Sequence, residues 1–198
     1  MSRPKSPFLW FIVIILAIAV LTVLGPEEKS LGANARIVYL HGAWVMTALV
    51  AFVAAAFMGL VGLLTRRPGA HRWSQALGRT AIFFWITYLP LSLWAMQANW
   101  NGLFLAEPRF RLAIIFAAGG FLLQIGLALI NRPAWTSLVN LAFGVALTIL
   151  LQSTGDVLHP PFSPIFGSGI AVIEIFFVLM NLLTLFAAYQ LTRWWLTK

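Results

Sequence analysis

The chain contains no cysteine. Thiol catalysis, cysteine-ligated metals and disulfides are therefore excluded. Charge is also scarce. Only 9% of residues are Asp, Glu, Lys or Arg, against about 25% in a typical soluble domain. There is no Gly-x-Ser-x-Gly elbow and no Gly-x-x-x-x-Gly-Lys loop, which removes the common serine-hydrolase and nucleotide-loop chemistries. No internal repeat and no long linker divide the chain, so residues 1–198 read as a single domain. What is abundant is apolar: 61% of the 198 residues are hydrophobic. The apolar runs are continuous, not alternating, which points to helices and not to a β-barrel. The expected class is an all-α integral membrane protein.

Six spans are expected: Phe8–Leu24, Ile37–Leu64, Thr80–Ala98, Leu112–Ile130, Trp135–Leu151 and Gly167–Leu191. The first resembles a signal-peptide core. It lacks a small-residue cleavage site, because Gly25-Pro26-Glu27 follows directly, and it is read as retained. The second is longer than a ~30 Å hydrocarbon core and must tilt or protrude. Pro90 predicts a kink in the third. Ala51, Ala54, Ala55, Gly59 and Gly62 in the second span, and Ala117 to Gly120 in the fourth, allow close helix packing.

The net charge of +8 does not signal nucleic-acid binding, because the basic residues lie in short joins between spans. Nine of the thirteen lysines and arginines fall on one side: Arg3, Lys5, Arg66, Arg67, Arg72, Arg79, Arg132, Arg193 and Lys198. That bias predicts cytoplasmic termini in a multi-pass protein of the cell inner (plasma) membrane. The basic stretch Thr65–Arg79 reads as a loop, and His71 within it as a solvated residue with no role.

Few residues can carry chemistry. The outer stretch Trp100–Arg111 holds Trp100, Phe104, Glu107, Arg109 and Arg111. Taken alone it is an interfacial aromatic belt. Two of the three histidines lie near the same face, His41 at the start of the second span and His159 in the loop before the last. A single such histidine reads as a helix-end cap. A pair flanking an aromatic platform suits a heme, since neutral imidazole is the usual iron ligand. Arg109, Arg111 or Arg36 can bind an anion such as a propionate, and Glu107 and Arg109 can form a surface ion pair. Glu174 is the one acid inside a span, about 10 Å deep if that span begins at Gly167. It is either functional or a packing partner of Asn140 or Gln124.

Arg36-Ile-Val-Tyr-Leu-His41, Leu158-His159, and Trp100 followed by Glu107-Pro108-Arg109 together resemble the cytochrome c assembly family of membrane heme-handling proteins, of the heme exporter protein C type. That family has an Arg-x-x-Tyr-x-His motif opening its second helix and a Leu-His before its last. Between them is a tryptophan-rich outer segment. The resemblance covers nearly the whole chain and implies six spans. It also implies non-covalent heme b between His41 and His159 as iron ligands, over a platform that includes Trp100 and Phe104. The family's clustered tryptophans are replaced here by Leu103, Phe104 and Ala106, and its aspartate by Glu107.

The resulting expectation is a carrier and not an enzyme. It would hold heme at the outer face for a periplasmic heme chaperone or the ligation machinery, among the membrane partners of a cytochrome c maturation complex. The main alternative is an accessory subunit of a larger membrane complex that keeps the fold without heme. A weaker one is a heme-bearing electron-transfer subunit.

Overall fold

A computed structural model of the chain describes residues 6–155 and 165–198. Arg3 and Lys5 of the basic tail, and Asp156 and His159 of the loop before the last span, lie outside the described residues. The regular elements are six helices: α1 (Pro7–Val23), α2 (Ala35–Thr65), α3 (Pro68–Trp100), α4 (Pro108–Ile130), α5 (Pro133–Ser153) and α6 (Ala171–Trp195). Helices α2 to α6 are long and apolar enough to cross a membrane. Helix α1 is apolar but has 17 residues, about 25 Å at ~1.5 Å per residue.

The helix ends follow from local chemistry. Pro7, Pro68, Pro108 and Pro133 open α1, α3, α4 and α5, where a missing N–H is harmless and φ is already set. Arg66, Asn101 and Asn131 close α2, α3 and α4 with φ of 56°, 50° and 49°. The left-handed region ends a helix and suits asparagine better than most side chains.

Three helix starts differ clearly from expectation, that of α4 being at Pro108 and not at Leu112. Helix α3 starts at Pro68, so the predicted basic loop is only the join Arg66-Arg67, followed by roughly three turns of helix. Those turns bury Ala70, Ser74, Ala76 and Gly78 and expose Arg72. The segment is amphipathic, and its polar face hid it from a reading based on apolar runs. Helix α6 starts at Ala171 and not at Gly167, because the chain still turns at Gly169 with φ of 67°.

Helices α2 and α3 lie side by side at the centre. Helices α4 and α5 pack on one side of them and α1 and α6 on the other. Among the described residues, α1 and α6 do not approach α4 or α5. Apolar side chains gain little by leaving lipid for protein, so interhelical hydrogen bonds and close packing must hold such a bundle. Trp44 Nε1 donates to Thr87 Oγ1 at 2.8 Å between α2 and α3, and Trp85 Nε1 to the Ala113 carbonyl at 3.0 Å between α3 and α4. Thr47 donates to Thr184 at 2.7 Å, and Thr80 pairs with Thr192 at 2.8 Å, which fastens α6 to both central helices.

Backbone contact supplies the rest. A Cβ at Gly59 of α2 would lie 2.6 Å from the Ser137 carbonyl oxygen of α5, whereas a Cβ at Gly119 of α4 would meet nothing within 4 Å. Gly59→Ala should therefore force the two helices apart and destabilise by about 1–3 kcal/mol, the range for overpacking. Gly119→Ala should hold or slightly raise stability, because alanine is the better helix former. Melting temperatures of the two variants in detergent check this. Equal behaviour would mean that the α2–α5 approach is not a tight one.

Candidate functional site

The start of α2, the end of α3, the start of α4, the end of α5 and the start of α6 share one end of the bundle. Asn34 Nδ2 donates to the Ala98 carbonyl at 2.8 Å and sets α2 and α3 in register there. Arg36, one of the expected anion binders, is already engaged. Its Nε donates to the Gly25 carbonyl at 2.9 Å, and its guanidinium pairs with Glu27 at 3.2 Å. Its role is to tie the α1–α2 connection to α2. In that connection, Glu28 accepts from the Ser30 hydroxyl and from the Leu31 and Ser30 amides, which hold its carboxyl below the usual range.

His41 lies on α2, half-buried, with its ring centroid 5.7 Å from that of Tyr88 on α3. The next residue, Gly42, is in close contact with the far side of the bundle. A Cβ there would meet the Phe177 ring at 3.2 Å and Ile165 Cδ1 at 3.7 Å. Phe166 packs on Phe177 with centroids 5.0 Å apart. The segment that leads into α6 therefore reaches the level of His41. His159 itself lies outside the described residues, six positions before Ile165 in the sequence.

Trp100 is the last residue of α3, and the predicted Trp100–Arg111 loop contracts to residues 101–107. Trp100 and Phe104 are 43% and 40% exposed and Leu103 and Leu105 both 53%, so the tip presents an apolar surface. Counting from the Asn34–Ala98 contact, His41 lies seven residues down α2 and Trp100 two residues beyond on α3. At ~1.5 Å per residue, roughly 13 Å separates them along the bundle axis. The tip stands above His41 at the same end and does not pack on it.

Glu107 caps α4, accepting from the Phe110 amide at 2.5 Å. An acid suits that position because unpaired N–H groups and the positive end of the helix dipole converge there. The expected Glu107–Arg109 ion pair is absent. Among the described residues the one ion pair is Arg36–Glu27. Arg109 is half-buried, and its Nε is closed off from solvent with no acceptor among the described residues. An enclosed guanidinium N–H calls for an acceptor, and a carboxylate such as a propionate has the right chemistry. The Arg109 guanidinium and the His41 ring are thus groups able to meet a carboxylate and a metal respectively.

Three other expectations change. Glu174 sits in the first turn of α6 and accepts from the Gly169 amide at 3.1 Å. It shapes the entry to the helix and contacts neither Asn140 nor Gln124. Those two residues bond to each other, Gln124 Nε2 donating to Asn140 Oδ1 at 3.1 Å between α4 and α5. Asn140 Nδ2 donates in turn to the Ser74 carbonyl on α3 at 2.8 Å. His71, expected to be solvated and idle, is partly buried in α3, with Nδ1 2.6 Å from Ser137 Oγ of α5. The signal for this cluster was visible as Ser74, Gln124, Ser137 and Asn140 standing in or beside apolar runs. Their pairing depends on helix register, which is not.

No protein-family model, curated protein or solved structure matches this chain.

His71→Ala should destabilise the protein by about 1–3 kcal/mol, because it strands a fully buried serine hydroxyl. Ser137→Ala should do the same, and the double variant should lose clearly less than the sum. Strictly additive losses in thermal unfolding would show that the His71–Ser137 bond contributes nothing.

Proposed function

We propose that this chain is a heme-holding membrane protein of cytochrome c maturation, a carrier that makes no bond itself. The observation that carries this reading is the Arg36-Ile-Val-Tyr-Leu-His41 segment. It lies in the first turns of α2, with its histidine half-buried at the end of the bundle that also bears the exposed Trp100–Phe104 surface and the enclosed Arg109. The return of Ile165 to the level of Gly42 supports pairing His41 with His159. A bound heme b would supply an iron with two axial positions. His41 and His159 would ligate it as neutral imidazoles. Arg109 would orient the ligand by its carboxylate edge, and Trp100 and Phe104 would cover its apolar face. Arg36 drops out of the propionate role because Gly25 and Glu27 occupy its donors. The partners would be a periplasmic heme chaperone or the ligation machinery, in the inner membrane.

One observation favours the accessory-subunit alternative. The tip is small, with Leu103 and Ala106 where the resembling family has tryptophan. In that case the fold persists without heme, and the exposed apolar tip is a protein contact.

The absorbance spectrum decides between them. Purified protein from heme-replete cells should show a heme band. His41→Ala and His159→Ala should each shift it, and the double variant should add little beyond loss of heme, as residues acting on one iron are not additive. Binding should weaken as pH falls through roughly 6.5, where free imidazole protonates. Colourless wild-type protein that takes up no added heme leaves the accessory reading.

We further propose six crossings, α1 included, with both termini cytoplasmic, on the strength of the Lys/Arg bias. A reporter active only in the cytoplasm should work when fused after Lys198. Activity of a periplasm-only reporter at that position would invert the topology.

A further inference from the structure

The end of the bundle opposite His41 holds a cavity of about 270 Å³. Pockets that enclose drug-sized ligands run ~300–1,000 Å³, so this one suits a compact group. Its wall includes Arg72, Gln75 and Arg79 of α3, Asn131 at the α4–α5 turn, and Trp195 and Lys198 at the end of the chain. Arg72 and Arg79 are seven residues apart, two turns on one helix face, with Gln75 between them. These segments are far apart in sequence and meet only because α6 runs back along α3. The Arg72 guanidinium donates to the Leu196 carbonyl at 2.9 Å, which fixes it at the rim and leaves further donors. The Arg79 guanidinium lies 5.3 Å from the Trp195 ring centroid, and the Lys198 ammonium 5.6 Å from that of Trp194.

Three cations thus surround one space. Among the described residues no Asp or Glu side chain lies on this end: Glu27, Glu28, Glu107 and Glu174 are all in or next to connections at the other end. The one ion pair among the described residues is at that other end too. Trp195, in the cavity wall, has a buried Nε1 with no acceptor among the described residues. A topological charge bias alone scatters basic residues along a membrane surface. It does not require two arginines, a lysine and two side-chain amides to converge on one cavity. Guanidinium forks match phosphate oxygens, and basic pockets between membrane helices receive phosphate headgroups. Residues 72–79 immediately precede the apolar stretch that begins at Thr80, which puts the cavity at headgroup level.

We propose that this cavity is a phosphate-ester site, with the phosphate held between Arg72, Arg79 and Lys198. It is independent of the heme reading. The test uses the purified full chain in neutral detergent, with dioctanoyl phosphatidylglycerol, dioctanoyl phosphatidylcholine and inorganic phosphate as probes. Ionic strength is matched with sodium chloride. Phosphatidylglycerol should raise Tm in a saturable way and phosphatidylcholine should not. The Arg72→Gln/Arg79→Gln double variant should bind at least tenfold more weakly. A shift from phosphatidylglycerol alone identifies a lipid headgroup as the source. An equal shift from inorganic phosphate identifies a soluble phosphate. Should the double variant not fold, Lys198→Gln, at the exposed end of the chain, carries the test and should weaken binding at least threefold. Equal responses to phosphatidylglycerol and phosphatidylcholine, no response to either anion, or a folded variant with wild-type affinity would each overturn the site.

Discussion

The bundle depends on the amide of Asn140. It is buried in a setting where unpaired polar groups are expensive, and it is satisfied from two neighbours, the Ser74 carbonyl of α3 and the Gln124 amide of α4. Ser74 in turn donates to the Ala55 carbonyl of α2 at 2.9 Å. One side chain on α5 therefore links four helices. Its position is enforced by Gly78, where any Cβ would lie 2.7 Å from the Asn140 amide nitrogen. Burial of leucine or valine cannot do this, because lipid solvates apolar groups as well as protein does. A polar seam that is fully paired in only one register specifies that register.

From that seam the arrangement of the other end follows. With α3 and α5 locked near their basic ends, the helices diverge in what they offer at the far end. Asn34 and Ala98 fix α2 against α3, and Thr47 and Thr184 fix α2 against α6. His41 lies between these two ties on α2, at a height set from both sides. Among the described residues, the tip at residues 101–107 has no such interhelical bond. Its order comes from Asn101 in the left-handed region and from the Glu107 cap. The bundle thus presents His41 between two interhelical ties and below an exposed apolar tip.

Much of this was legible in the sequence, for reasons that differ by element. The ends of α2 and α4 follow from apolar runs closed by Arg66 and Asn131. The start of α3 did not, because Pro68–Arg79 is helical by amphipathicity and its polar face imitates a loop. Glu174 was misjudged by a boundary error alone. Four residues of difference in the start of α6 move it from mid-span to the first turn, where an acid completes the helix entry. Asn140 and Gln124 are recognisable as polar groups needing partners, but the sequence offers them only as one alternative for Glu174, and they bond to each other instead. His71 was unreadable, since Ser137 is 66 positions away. The His41–His159 pairing came from short motifs, and the fold adds only the approach of Ile165 to the residue beside His41.

Charge gives the molecule its direction. Glu27, Glu28, Glu107 and Glu174 lie in or beside the connections at the His41 end; Glu27 pairs with Arg36, and the other three serve the backbone: Glu28 holds a turn, Glu107 caps α4 and Glu174 shapes the entry to α6. Used in this way, they leave Arg109 without a carboxylate partner among the described residues. Among the described residues the opposite end carries no Asp or Glu side chain, and none of Arg72, Arg79 and Lys198 is in an ion pair. Cations gathered around one space repel one another, and the Leu196 carbonyl and the Trp194 and Trp195 rings offset part of that repulsion. The same scarcity of acids that marks this sequence at first sight thus leaves the Arg109 Nε without an acceptor among the described residues at one end, and Arg72, Arg79 and Lys198 around one space at the other.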